Sequence, residues 1–302
     1  MADAPDIDEI HITEDGSLTL KDDVTGELYH NRAGALTEAL ANFVEPLNLR
    51  SLQKETRQLA FLDVCFGLGY NTFVLLNELT KLDLHSDSIK IVAIEKFSKP
   101  LLYISRVLND RRLGELRLSI EEQAKELMSG TFGQWSFSLD GKGGRLSVQF
   151  ELLQGDLREV VPNLVAHSAG EFDGILHDPF SPRRAPELWT IDLFECYRKL
   201  LVPASGKVVT YSSASAVRGG FSKCGMIVRR TPAVGGKSGG TLAMLPRPDG
   251  TVSDGLPLLE EEAAKLAGRA GVPYRDATFC KTSAEIMRQR EQAQKLQFPT
   301  LS

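Results

Sequence analysis

The stretch LAFLDVCF, residues 59–66, is apolar almost without interruption and runs directly into Gly67 and Gly69 of GLGYNT. A strand that is apolar on both faces has to be covered on both, as central strands of parallel sheets are. Two glycines between such a strand and a helix beginning near Tyr70 form a turn where backbone can come close to a ligand. These fourteen residues therefore predict a doubly wound α/β sheet with its ligand at the strands' carboxyl ends.

The rest of the chain extends that pattern. KIVAIEKF (90–97) reads as a second buried strand ending in Glu95, followed by a helix from about Pro100 to Asn109. WSFSLDGKGGRLSVQFELLQGD puts two alternating runs around D-G-K-G-G, an inserted β-hairpin. FDGILHDPF then supplies a strand ending at Asp178, ELWTIDLFECYRKLL an amphipathic helix, and SGKVVTYSS a further strand. Upstream, SLTLKDDVTGELYH predicts a hairpin with a T-G turn, and GALTEALANFVEPL a helix closed by Pro46. We expect residues 1–50 as an acidic leader, hairpin and helix packed on the core, and 51–245 as the wound domain. Residues 246–302 then form a linker and charged helical tail.

Composition narrows the function classes. The four cysteines show no C-x-x-C pairing, so neither a disulfide framework nor a metal cluster is expected, and a reducing, cytoplasmic setting is. No signal peptide or membrane span is read. Net charge is −5, but residues 1–30 hold nine acids against one lysine, while 181–240 hold ten Lys or Arg against three acids, a local net of +7. This asymmetry points to a basic working face for a nucleic acid, or to two solvated surfaces of opposite sign.

The glycine turn lacks the third glycine of a dinucleotide fingerprint, since Thr72 stands there, which weakens an NAD-dependent oxidoreductase reading. Glu95, ending the second strand, suits a ribose diol. Asp156 and Leu157 after Gly155 suit an adenine edge, with a helix N-cap as the competing role of Asp156. His177 and Trp189 read as core residues rather than as a catalytic base and a stacking platform.

The ordered series D-x-x-F-G-x-G-x-N, E-K-F, G-D, D-P-F-S-P-x-x-x-P-E-L-W-T and YSSASAVRGGFSKCGMIVRRTPAVGGKSGG resembles the methyltransferase domain of the tRNA 5-methylaminomethyl-2-thiouridine biosynthesis family. The resemblance runs from about Gly26 to Ala243. It implies a Rossmann-like class I fold, S-adenosylmethionine as cofactor, and N-methylation of the 5-aminomethyl group on a wobble uridine of tRNA. It places Gly67, Gly69 and Asn71 along the methionine moiety, Asp63 at the head of the same motif, Glu95 on the ribose and Asp156 with Leu157 at the adenine. Cys65 stands where the family turn often carries glycine. Bifunctional members add a flavin-dependent oxidase domain, for which no room is expected in 302 residues, so no flavin is expected.

For catalysis the expectation falls on Asp178, with Pro179 and Phe180 shaping an apolar wall. An alkyl amine of pKa near 10.4 is neutral in only about one of several thousand molecules at pH 7, so its proton has to be managed. Asp178 would position the amine and accept a proton from the product. Arg183, Arg184, Arg218, Lys223, Arg229, Arg230 and Lys237 are the candidates for tRNA phosphates. A catalytically silent tRNA-binding module is the reading from another class.

Overall fold

In the computed structural model, which describes residues 10–21, 26–30, 34–52, 58–84, 88–233, 239–252 and 254–299, β1 (Ile10–Ile12) and β2 (Leu18–Leu20) pair antiparallel. The expected upstream hairpin survives beyond β2 as a Lys21–Leu28 bridge, and Val24 and Thr25 of its turn lie outside the described residues. The segment GALTEALANFVEPL is helical but not uniformly so. α1 (Ala35–Glu38) widens into a π-helical turn over Ala39–Val44 and tightens into a 3₁₀ turn that contains Pro46.

β3 (Leu59–Val64) and α2 (Tyr70–Thr80) follow, then β4 (Ser88–Glu95), α3 (Ile104–Leu108), α4 (Gly114–Gln123) and α5 (Lys125–Met128). β5 (Gly133–Gly141) and β6 (Gly144–Gln154) form the expected hairpin, and β6 is itself a wound strand, parallel to β4 and followed by α6 (Leu157–Ser168). Next come β7 (Gly174–His177), α7 (Ile191–Leu200), β8 (Lys207–Thr210) and α8 (Ser215–Lys223). β9 (Ile227–Arg230), β10 (Thr241–Met244), α9 (Glu260–Ala267) and α10 (Ser283–Gln297) complete the chain.

The eight-stranded sheet has the order β5-β6-β4-β3-β7-β8-β10-β9. β3 sits centrally, parallel to β4 on one side and β7 on the other, so the chain reverses its winding direction beside β3. That reversal is where wound sheets open a crevice at the strands' carboxyl ends. β3 shows why its sequence is apolar throughout. Leu59 and Phe61 enter the core layer shared with α2 and the N-terminal segment, whereas Ala60, Leu62 and Val64 enter the layer under α6, α7 and α8. Each buried aliphatic side chain contributes about 1.5–3 kcal/mol, so a polar substitution on either face would be costly. Among the described residues, no helix is long and apolar enough to cross a membrane.

Candidate active site

Three backbone bonds tie the carboxyl ends of the central strands together: Phe66 N–H to Ile94 O at 3.0 Å, Gly155 N–H to Glu95 O at 3.1 Å, and Asp178 N–H to Val64 O at 3.3 Å. The loops that leave these strands are thereby held side by side. They border a cavity of about 810 Å³ lined by Cys65, Ile94, Glu95, Phe97, Asp156, Leu157, Asp178, Pro179, Phe180, Arg184 and Tyr211, among others.

At one end, Glu95 accepts hydrogen bonds from the amides of Gly67 and Phe97, both at 2.8 Å. This fixes a buried carboxylate at the cavity wall, where it can accept further bonds from a diol. Asp156 takes the N-cap role and also borders the cavity. It caps α6 by accepting from Arg158 N–H at 2.9 Å, and it lines the cavity, paired with Lys96 at 3.0 Å and with the Arg158 guanidinium at 3.2 Å. Burial alone would raise its pKa, but these bonds outweigh it and hold the carboxyl down at about 2.

At the other end, Asp178 follows directly on β7 and points opposite to its neighbour His177, as alternation in a strand requires. His177 is fully buried in aromatic company. Its Nδ1 lies 2.9 Å from the Tyr197 hydroxyl and its ring is edge-on to Trp189, and desolvation drops its pKa to about 3, so it is a neutral core residue as expected. Asp178 instead faces α2 and α1. Asn71 Nδ2 donates to Asp178 Oδ2 at 2.8 Å, while burial and then the Glu38 carboxylate push the Asp178 pKa well above the usual carboxylate range. The turn after it is pinned by two aromatic donors, Tyr211 Oη to Pro179 O at 2.9 Å and Trp189 Nε1 to Phe180 O at 2.8 Å. Trp189, with no exposed surface, is thus a core anchor that also holds the turn.

Four of the residues expected at the cofactor lie behind the cavity wall. Asp63 is a correction: it is fully buried, accepts from the Thr72 hydroxyl at 2.7 Å, and supports the start of α2 instead of reaching a ligand. Desolvation raises its pKa to about 7. The Gly67 amide is used by Glu95, and a Cβ there would stand 3.1 Å from the Tyr29 ring. Gly69, at φ +84°, leaves no space for a Cβ, which would lie 2.6 Å from the rings of Phe66 and Phe73; its glycine is required by packing as well as by backbone. Asn71 meets Asp178. Cys65 occupies the left-handed region at φ +62°, which explains why glycine would serve at this place, and its thiol stays protonated because burial and the Glu95 charge raise its pKa.

The candidates for tRNA phosphates divide in the same way. Arg184 borders the cavity, with Glu27 at 3.9 Å, and Arg183 beside it is exposed. Arg218 is a correction: it is 3% exposed and bonds Glu262, Thr241 Oγ1 and Gly240 O, so its guanidinium is committed within the fold. Arg229 and Arg230 lie on the edge strand β9 and donate to Gly255 O and Pro257 O. Lys223 is exposed at the end of α8, and Lys237 lies outside the described residues.

Sequence reasoning missed the wall contributed by the N-terminal segment. Tyr70 Oη accepts from Leu18 N–H at 2.9 Å, and Tyr29 N–H bonds Leu20 O, which docks Glu27 to His30 over the cavity. Tyr29 then packs edge-on against Phe180, and Glu27 accepts from Ser181 N–H and Oγ. No local pattern announces these contacts, which join residues about 150 positions apart. Cys65 and Tyr211 lie inside motifs already quoted, which was the signal that could have placed them at the cavity.

The residues present fit a cationic nucleoside cofactor. Glu95 and Asp156 stand at one end and would hold a nucleoside there, Ile94 and Leu157 provide apolar wall, and Asp178, Glu27 and Glu38 make the opposite end acidic. Residues 119–246 match a family described as S-adenosyl-L-methionine-dependent methyltransferase. The chain is 28% identical over 93% of its length to an uncharacterized protein of Methanocaldococcus jannaschii, covering 70% of that protein. It is 26% identical, over 73% of its length, to the tRNA 5-methylaminomethyl-2-thiouridine biosynthesis bifunctional protein MnmC of Burkholderia vietnamiensis, of which it spans only 34%. The crystal structure of MnmC2 from Aquifex aeolicus superposes with a TM-score of 0.70 at 28% identity, covering 95% of this chain and 84% of that one. A cavity at the winding reversal, an acid at each of its working ends and these likenesses agree: the chain is an S-adenosylmethionine-dependent methyltransferase with a Rossmann-like fold, related to the MnmC methyltransferase domain.

Proposed function

We propose that this protein methylates the primary amine of a 5-aminomethyl group on the wobble uridine of tRNA. The observation that carries the reading is Asp178, an acid at the end of β7 in a cavity whose acceptor end is walled by carboxylates and aromatic rings. An alkylammonium is the acceptor that such an end recognises, and the bifunctional relatives are named for the matching nucleoside. When bound, S-adenosylmethionine supplies an electrophilic methyl group on a sulfonium.

The protein's own residues do the rest. The Asp178 carboxylate, its basicity raised by desolvation and Glu38, hydrogen-bonds the bound alkylammonium and takes one of its protons, which frees the nitrogen lone pair for alkylation. Tyr211 and Trp189 hold the Pro179 and Phe180 carbonyls, so the wall beside the nitrogen does not move with the incoming base. Arg183 and Arg184 at the rim take phosphates of the anticodon loop, where the wobble base is already unpaired and costs little to extrude.

The test is to incubate the protein and S-adenosylmethionine with tRNA bearing 5-aminomethyluridine and to analyse the nucleosides by mass. One added methyl on the wobble nucleoside is the expected result. Binding of adenosylhomocysteine with no methyl transfer to that nucleoside would overturn the substrate.

A further inference from the structure

We infer that Asn71 is a positioning residue of the methyl transfer, acting through Asp178 and not through the cofactor's methionine carboxylate. The inference rests on the reading of Asp178 as the group that meets the acceptor amine. Asn71 is 3% exposed, stands in the first turn of α2, and does not line the cavity. Its amide nitrogen reaches Asp178 Oδ2 at 2.8 Å, while its amide oxygen has no partner among the described residues. A carboxylate with one oxygen held in this way keeps a single rotamer and leaves Oδ1 for the acceptor nitrogen.

The charged and titratable groups around Asp178 give that one bond its weight. Glu38 from α1 and Asp63 from β3 both disfavour a charge on Asp178, and Cys65 and Tyr211, which share its surroundings, stay protonated. Glu27 approaches from the N-terminal segment and adds negative charge beside Tyr211. Against these, the Asn71 amide is the donor that favours the anion, and the anion is the form that orients an ammonium and later receives its proton. An amide does so without titrating, so the bond persists through the whole working pH range. The start of α2 is rigid for a separate reason, because Asp63 accepts from Thr72 one residue further along.

The experiment compares Asn71→Ala with the parent protein in three readouts. Titration of the Asp178 carboxyl, identified by its loss in Asp178→Asn and followed by infrared difference spectroscopy, should move to higher pH once the donor is gone. Calorimetric affinity for adenosylhomocysteine should stay within about 3-fold, whereas kcat on aminomethyl-tRNA should fall roughly 10- to 100-fold, the usual effect of losing a bond to a charged group. In the Asp178→Asn background the same substitution should cost nothing further. If Asn71→Ala does not fold, Asn71→Leu keeps nearly the same size, removes the amide donor without adding a charge and should give the same upward shift. An affinity loss as large as the loss of kcat, or an unmoved titration, would overturn the inference. Should aminomethyl-tRNA prove not to be the substrate, the titration and the calorimetry still decide the role of Asn71.

Discussion

The centre of the sheet and its β9 edge use charge in opposite ways. At the centre, acids gather around a cavity, where Asp178 has an uncharged amide as a hydrogen-bonding partner and Glu95 accepts from backbone amides, while Asp156 is paired with Lys96 and Arg158. Toward the β9 edge, cations prevail in sequence, yet their donors go to the protein itself. Arg218 is buried against Glu262, Arg229 and Arg230 bond loop carbonyls, and Lys207 is buried with Asp254 at 3.1 Å. The local excess of seven positive charges over 181–240 is therefore not a surface in one place. The contrast sets an acid held by uncharged donors beside a cavity, a candidate for chemistry, against cations whose bonds are spent inside the fold.

The sharpest way to break this contrast is Asp178→Ala. Its turnover should fall about 100-fold or more, as for loss of a proton-transfer group, with adenosylhomocysteine affinity nearly unchanged in calorimetry. Retained turnover would move the chemistry away from β7. At the other region, Arg218→Ala should lower stability by about 3 kcal/mol, because it leaves Glu262 and two further acceptors without their donor. Chemical denaturation measures this, and a loss confined to tRNA binding would return Arg218 to the interface.

The pH dependence of stability should show the centre's buried histidines. The pKa of His177 is lowered to about 3 and that of His30 to about 4, both by desolvation. Groups depressed in the folded state stabilise above their unfolded pKa near 6.5 and lose that contribution as pH falls toward the folded values. The histidine contribution should therefore be lost between pH 6.5 and 4, before the acid limb of Asp15 and Asp156, whose folded pKa values are about 2. Asp63 and Asp178, raised in the folded state, bind protons over the same window and oppose this loss, so the histidine contribution is the difference in melting curve between the parent and His177→Phe, and no difference would contradict neutral burial of His177.

The smallest effect is expected at the rim. Charge reversal of Arg183 and Arg184 should weaken tRNA binding and reduce the salt-dependence slope by about one unit per lost phosphate contact. The same change at Arg229 and Arg230 should leave the slope as it was. Equal effects at both pairs would extend the interface to the β9 edge.

The wound sheet and the order of its loops were legible in local patterns of the chain. The apolar run at 59–66, the acid ending the second strand and the Asp-Pro-Phe turn are local patterns, and β3, Glu95 and Asp178 stand where those patterns put them. The core roles of His177 and Trp189 were legible for the same reason, since strand alternation and apolar neighbours are local. Which polar groups meet follows from the packing of distant segments. Asn71 and Asp178 are 107 positions apart, Glu27 and Ser181 are 154 apart, and no spacing in the chain encodes either contact. That packing also decided that Asp63 lies beneath the turn and that Arg218 is enclosed, because burial of a charge depends on what packs over it. A strand's two faces follow from its own pleat, but the partner of a side chain is chosen by the elements that the fold brings to it.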